Sequence, residues 1–368
     1  MNKALIVICM IITAAAAIGI IFIMILGLNG HTLSSFNVNV GYGWGESMLI
    51  KEETFSIKDI RRFSLESGSY GVYVRAVDGV TASVRQYSNH SDSPFTMDKT
   101  GSEVSVNARQ NGVSIGLFFI WNRRIEIDIP RSWAGDVNFT TSSGGLTLED
   151  NFKWAVASLQ ASSGGINIKY PLTTESLSLR ASSGGIRISD GLTAGKQIQI
   201  RATSGGVRAD GLIAADGLEI SVTSGGVNMG GAVIDVNSLN VTTSSGGATL
   251  GVVKAGKFDM RATSGGIKAE ELTGYGSVSS SSGGVRVETL RATGDVNLRT
   301  TSGSLRVGLP RNLSFKLEAR TNSGGISSDF PMSYRGERRK DAYATVGSEP
   351  YVNLNLSASS GGITIWER

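Results

Sequence analysis

Basic residues recur at two fixed positions around a repeated Ser-Gly-Gly sequence. When the copies are aligned on their first glycine, a basic residue stands three places later at Arg187, Arg208, Lys268, Arg286 and Arg306. Four places before the glycine, the basic residues are Arg180, Arg201, Arg261, Arg299 and Arg320. Cations repeated along a surface repel one another unless an anion lies along them. Both rows are therefore candidate binding stripes for a linear polyanion or for lipid headgroups.

Acidic residues favour a competing interpretation of the row after the glycine, namely a neutralised and solvated outer face. They follow the basic positions closely, at Glu149, Asp150, Asp190, Asp210, Glu270, Glu271 and Glu288. The row before the glycine has no such regular acidic partner in the sequence. We therefore expect the row before the glycine to be the better binding stripe.

The sequence contains few residues in arrangements that are typical of catalytic sites. The 2 histidines are His31 and His90, so the repeats that follow contain no His-based triad and no His-ligated metal site. The sequence also lacks a P-loop, a GxSxG motif, a Cys/His metal spacing and the calcium-binding nonapeptide. Asp190 and Asp210 are the best candidates for the carboxylate cluster of a glycan-cleaving enzyme. Both begin Asp-Gly turns, however, and we predict no catalytic residue, metal or cofactor.

The elements that carry these residues repeat about every twenty positions. The first glycines of the copies are Gly144, Gly164, Gly184, Gly205, Gly225, Gly246, Gly265, Gly283, Gly303, Gly324 and Gly361. Each unit has an alternating strand such as "LSLRA", the Ser-Gly-Gly corner, and a second alternating strand such as "IRI". A fixed period of this length is typical of a solenoid. The sequence therefore predicts an all-β, single-stranded, β-helix-like solenoid of about eleven coils.

The glycines have a structural explanation in such a stack. A side chain at the corner would collide with its copy in the next coil, about 4.8 Å away, and glycine also permits a positive φ. The Ser and Thr hydroxyls before the corner can bond to the turn or along the stack. We interpret these glycines as structural corners rather than as a ligand motif.

The period divides the chain into predicted regions. Residues 131–368 form the solenoid, with an exposed, charged loop inserted at 327–350. Residues 29–130 are strand-like but lose the period, which indicates an irregular β region that is either an N-terminal cap or the first coils.

Residues 1–28 are predicted to be a membrane anchor. The segment 4–28 contains no charged residue and is long enough for a helix to cross a bilayer, and it is longer than the apolar region of a cleavable signal peptide. Lys3 precedes the segment, and the first charge after it is Glu46. This asymmetry predicts a single-pass protein of the cell membrane with a cytoplasmic N-terminus and an extracytoplasmic C-terminal domain.

The recurring "SGG-I-x-I" pattern, the segments "IEIDIP" and "LRVGLP", and the final "YVNLNLSASSGGITI" resemble the putative-adhesin family of bacterial β-strand-repeat proteins. The resemblance covers residues 53–367. It implies a β-strand-repeat fold, and it implies kinship with a domain-of-unknown-function group that has membrane-anchored members in envelope-stress operons. It supplies no catalytic residues.

These observations predict a non-catalytic surface module for adhesion, envelope-polymer binding or envelope-stress sensing. The alternatives are a glycan-active lyase or hydrolase and a structural spacer that binds a partner protein. Expected partners are the membrane itself and an anionic envelope polymer, lipid headgroups or another envelope protein. The net charge of only +4 does not favour nucleic acid.

Overall fold

The computed structural model describes residues 46–89, 92–109, 122–335 and 340–368. These residues form strands joined by turns, with no helix among them, so the all-β prediction is confirmed for this part of the chain. The predicted anchor, residues 1–28, lies outside the described residues. Within the described ranges no helix is long and apolar enough to cross a membrane.

The strands fall into an N-terminal group, a long repeated series and a C-terminal group. The N-terminal strands are β1 (Met48–Ser56), β2 (Arg62–Glu66), β3 (Gly71–Val77), β4 (Thr81–Ser88), β5 (Thr96–Thr100), β6 (Glu103–Asn107) and β7 (Arg124–Pro130). The repeated series is β8 (Asp136–Thr141), β9 (Leu146–Leu148), β10 (Phe152–Lys153), β11 (Val156–Ala161), β12 (Ile166–Ile168), β13 (Leu172–Ala181), β14 (Ile186–Ile188), β15 (Leu192–Ala202), β16 (Val207–Ala209), β17 (Gly211–Val222), β18 (Val227–Thr243), β19 (Ala248–Ala262), β20 (Ile267–Ser280), β21 (Val285–Thr300) and β22 (Leu305–Leu309). The C-terminal strands are β23 (Phe315–Thr321), β24 (Ile326–Ser328), β25 (Ser333–Arg335), β26 (Asp341–Val346), β27 (Val352–Ala358) and β28 (Ile363–Glu367).

Each coil encloses a row of inward-pointing apolar side chains. In one coil, Ile186 and Ile188 point inward from β14, Leu192 from the start of β15, and Ile198 and Ile200 from its end. Alternation places their neighbours outside, because successive side chains of a strand point to opposite faces. Burial of one such aliphatic side chain contributes about 1.5–3 kcal/mol. The core is therefore a column of aliphatic residues along the inside of the stack.

Successive coils pair in parallel and in register. Ile186 pairs with Ile166 on one side and with Val207 on the other, and the same residue positions face each other from coil to coil. From β18 to β21 the short strand after the corner and the longer strand that follows it merge into one continuous strand, as in β18. The fold is thus solenoid-like, as the twenty-residue period predicts.

Spatial order departs from chain order at both ends of the stack. At the N-terminal end, β2 lies between β6 and β8, and β3 lies between β7 and β9. At the C-terminal end, β27 lies between β21 and β23, and β28 lies between β22 and β24. The coil nearest each chain end is therefore held between two other coils.

Antiparallel strands cover the outermost coils. At one end β5 pairs with β6, β4 pairs with β7, and β1 pairs with β4. At the other end β26 pairs with β23, and β25 pairs with β26. Parallel coils thus begin at β2, ahead of residue 131, and the segment 327–350, which was expected to be a loop, supplies β25 and β26. Among the described residues, β1, β5 and β25 each pair with a single strand, so free edges of the sheet lie on these covering strands.

Close approach between coils explains the corner glycines. A Cβ added at Gly184 would lie 2.2 Å from the carbonyl oxygen of Gly164, and the other first glycines of the copies face similar contacts. None of these corner glycines has a positive φ, so this part of the prediction is wrong. The positive φ values are found instead at turn glycines such as Gly191, whose φ is 99°.

Buried hydroxyl groups complete several corners. The Thr300 Oγ1 hydroxyl donates to the Gly283 carbonyl oxygen at 2.8 Å and accepts from the Gly303 amide at 3.1 Å. Thr321 makes the corresponding bonds one corner further along the chain. Each hydroxyl therefore ties a corner to the neighbouring coil.

Candidate anion-binding groove

A shallow groove runs beside the corner because the second glycine of each copy has no side chain. Its first hollow has a volume of about 690 Å³ and follows four successive coils. The floor is formed by Gly165, Gly185, Gly206, Gly226 and the adjoining inward residues, and the outward side chains of the hollow are Asn167, Arg187, Arg208 and Asn228.

The four outward side chains form one row. Asn167 pairs with Arg187, Arg187 with Arg208, and Arg208 with Asn228. Neighbouring positions lie about 4.8 Å apart, the spacing of paired strands. Two arginines thus occupy adjacent positions of the row, with an asparagine on each side.

These two guanidinium groups are poorly neutralised. Arg187 forms no ion pair with any residue in the described ranges. Arg208 has one acidic neighbour, with its Nε 3.6 Å from the Asp210 carboxylate, and the side chain is 56% exposed. Such a long and exposed pair contributes little. The first hollow therefore presents positive charge that is available to a ligand.

A second hollow of about 360 Å³ continues along the same corner. Its outward row is Thr249, Lys268, Arg286 and Arg306, which are paired in that order. Lys268 and Arg306 form no ion pair within the described part of the chain, whereas Arg286 is bonded to Glu288.

Glu288 is held from two sides. It accepts hydrogen bonds from Arg286 and, at 3.1 Å, from Arg368 Nη2. The bond from Arg286, aided by the charge of both arginines, lowers the pKa of Glu288. Arg286 is consequently committed to a structural ion pair, and its charge is less available to a ligand than that of Lys268 or Arg306.

The row before the glycine is discontinuous. Arg180 and Arg201 are direct neighbours, but Ser279 separates Arg261 from Arg299 along the stack. Arg320 is likewise separated from Arg299 by Ser357, because β27 lies between β21 and β23. Arg261 and Arg299, and likewise Arg299 and Arg320, therefore stand two coils apart along the stack.

Three of the five arginines before the glycine have acidic partners that the sequence expectation did not include, whereas Arg180 and Arg299 form no ion pair within the described ranges. Acidic residues lie six places before the glycine and pair with this row: Arg201 with Glu219 at 3.1 Å, Arg261 with Asp259 at 2.7 Å, and Arg320 with Glu318. These acids could have been recognised in the sequence, because they lie on the same outward strand face as the basic row. The row after the glycine is thus the better candidate site.

The geometry explains Asp190 and Asp210 without catalysis. Each precedes a turn glycine of positive φ, 99° at Gly191 and 78° at Gly211, and Asp210 also neighbours Arg208. Within the described ranges, no group of three or more His, Cys, Asp or Glu side chains is placed to hold a metal ion.

Sequence reasoning missed an aromatic residue near the second hollow. Trp366 lies over Gly308, where an added Cβ would be 2.8 Å from the indole Nε1, and the Arg286 guanidinium is 5.9 Å from its ring. Gly308 therefore makes room for the indole. In the sequence the signal is only a glycine at an outward position of β22, because the tryptophan lies far along the chain on β28, which pairs with β22.

Comparison with known families agrees with the repeat architecture. A family model described as Toastrack DUF4097 matches residues 60–229 and 192–366, which together span most of the chain. The chain belongs to the Toastrack family. The two overlapping matches cover both the regular coils of this Toastrack chain and the N-terminal strands from β2 onward.

Solved structures similar to this Toastrack chain include two putative adhesins. One, from Parabacteroides distasonis, is 12% identical, with 89% of this chain and 98% of that chain covered and a TM-score of 0.41. The other, from Parabacteroides merdae, is 12% identical, with 88% and 97% covered and a TM-score of 0.40. No curated protein matches the chain.

Proposed function

We propose that the chain is a non-catalytic surface module that binds an anionic polymer along the groove beside its glycine corners. The observation that carries this proposal is the pair Arg187 and Arg208, which occupy adjacent positions and line an open hollow with little acidic compensation. Two like charges about 5 Å apart repel by about 1 kcal/mol in water. A bound anion removes this repulsion, so the arrangement favours anionic ligands.

The chemistry of the groove suits carboxylate or phosphate groups. A guanidinium group donates two parallel hydrogen bonds to either anion. The glycine floor lets a ligand approach the backbone closely. The flanking amides of Asn167 and Asn228 add neutral donors and acceptors beside the charged pair.

The proposal includes display outside the cytoplasm. The uncharged segment 4–28, preceded by Lys3, supports a single membrane anchor with a cytoplasmic N-terminus. In this arrangement the coils lie on the outer side of the membrane, where the groove can meet an envelope polymer.

Binding to a long poly-glutamate chain tests the proposal. The full chain in detergent is measured across a salt series, beside a variant carrying Arg187→Ser and Arg208→Ser. Loss of two charge-assisted contacts is expected to weaken binding about tenfold or more at low salt. Added salt is expected to weaken wild-type binding because the contacts are exposed.

The matched control replaces two arginines that already have acidic partners, Arg201→Ser with Arg261→Ser. This variant removes the same charge and is expected to change affinity less than about threefold. Equal losses of affinity in both variants would mean that net charge alone, and not the groove, accounts for binding. Unchanged affinity in the Arg187→Ser and Arg208→Ser variant would contradict the proposal.

A further inference from the structure

The cations of the groove that have no close acidic partner form two separate groups. We name Arg187 and Arg208 the first station, and Lys268 and Arg306 the second station. Resting on the proposed function, we infer that the two stations together bind one extended polyanion and so select ligands by length.

The register fixes the distance between the stations. Along the row, Asn228 and Thr249 separate Arg208 from Lys268, which makes three coil steps. At about 4.8 Å per step the gap is about 14 Å. From Arg187 to Arg306 the row makes six steps, or about 29 Å.

Charge is concentrated at the stations and absent between them. Asn228 and Thr249 are neutral, and Arg286, which lies between Lys268 and Arg306, is bonded to Glu288. Lys268 and Arg306 lack ion pairs inside the described ranges, as does Arg187. A ligand therefore gains most where it reaches the uncommitted cations at both ends of the groove.

A chain that reaches both stations binds more tightly than two separate short ligands. After one end is bound, the other end meets its station at an effective concentration in the millimolar range. An extended peptide spans at most about 3.3–3.6 Å per residue, so about nine residues are needed to cover 29 Å. A ligand of three residues, about 10 Å long, can occupy only one station.

Oligoglutamates of three and fourteen residues test this inference at pH 7, where their carboxylates are charged. The full chain in detergent is expected to bind the longer probe at least about thirtyfold more tightly. Arg187→Ser with Arg208→Ser and, separately, Lys268→Ser with Arg306→Ser are each expected to remove most of that advantage. Affinity for the three-residue probe is expected to fall only about twofold in each variant, because one station remains.

The outcomes separate the inference from the proposed function. If only the first-station variant weakens the longer probe, the two-station inference is overturned while the groove remains the binding site. If neither variant weakens it, both the inference and the proposed function fail. Anionic vesicles provide the third outcome. If they bind more tightly than the longer probe, and if binding depends on both stations in the same way, the ligand is a surface of lipid headgroups and the linear-polymer inference is overturned.

All four substituted side chains are exposed, so folding should be preserved. Thermal unfolding midpoints equal to that of wild type verify this. Glutamine substitutions at the same positions provide a second set that keeps the length of the side chains.

Discussion

At the residue scale, the first corner glycine is required because neighbouring backbones come too close for any side chain. The contact at Gly184 is with a carbonyl oxygen, which cannot move aside as a flexible side chain could. The second glycine is less constrained. Ser304 occupies that position in one copy, and a Cβ at Gly325 would meet nothing within 4 Å.

Gly184→Ala is therefore expected to destabilise the protein by about 2–4 kcal/mol, since the added methyl group forces two coils apart. Denaturant unfolding followed by circular dichroism measures the change. The matched control is Gly325→Ala, which is expected to stay within about 0.5 kcal/mol of wild type. Similar stability of the two variants would show that contact between coils is not what selects glycine.

Only some of the features at the residue scale could be predicted from the sequence. The corner positions followed from the period, and the clash between coils followed from strand spacing. The acidic partners Glu219, Asp259 and Glu318 were visible as outward residues on the same strand as the basic row. The long, weak contact of Arg208 with Asp210 depends on side-chain conformation, which the sequence does not specify.

At the element scale, ion pairs join three strands at the N-terminal end. Arg75 on β3 donates to Glu126 on β7 at 2.6 Å, and Arg85 on β4 donates to Asp128 on β7 at 2.5 Å. Burial alone would raise the pKa of Glu126, but hydrogen bonds from Arg124 and Arg75 outweigh it, and the pKa lies below its usual value. The charged form of Glu126 is thus the stabilising form.

Glu126→Gln is expected to lower stability at pH 7 by about 1–2 kcal/mol, since the ionised hydrogen bonds are lost. Because the folded-state pKa is depressed, wild type keeps this contribution above the unfolded pKa of about 4.3 and loses it as pH falls through the folded value. The difference between the variant and wild type should therefore shrink below about pH 4. Thermal unfolding at pH 7, 5 and 3.5 measures it.

Asp98→Asn serves as the comparison, since Asp98 is an exposed carboxylate on β5 with no ion pair among the described residues. Its effect should be small at every pH. A Glu126→Gln deficit that stays constant from pH 7 to pH 3.5 would contradict the ion-pair explanation.

The order of the elements could not be predicted. Every coil offers the same alternation of apolar residues, so Leu354 fits equally well against many coils. In the structure it pairs with Val296 and with Leu317. Pairings between distant segments are set by the whole stack, and a local pattern carries no information about them. The same limit hid β25 and β26, whose polar sequence reads as a loop.

At the scale of the whole molecule, we expect the predicted anchor to determine on which side of the membrane the groove lies. The only cysteine, Cys9, lies inside the apolar segment, so a single reporter thiol can be placed elsewhere after Cys9→Ser. Ser182→Cys at an exposed corner position in that background is expected to react with a membrane-impermeant maleimide in intact bacterial cells. Labelling in intact cells relative to lysed cells measures the topology.

A thiol placed at Asn2 (Asn2→Cys, also with Cys9→Ser) is the matched control, and it should react only after lysis. Labelling of both positions in intact cells, or of neither, would contradict a single span with a cytoplasmic N-terminus.

The coils at the two ends of the stack are held differently from those in the middle, and this difference determines where the molecule can change in length. The end structures, with their antiparallel covers, depend on particular partners, whereas a coil in the middle meets only neighbours like itself. Duplicating or deleting one twenty-residue unit between β16 and β20 would therefore alter the length of the stack by about 4.8 Å and leave both ends intact. Evolution can thus tune the distance between the two cationic stations by changing the number of interior coils, without redesigning either end.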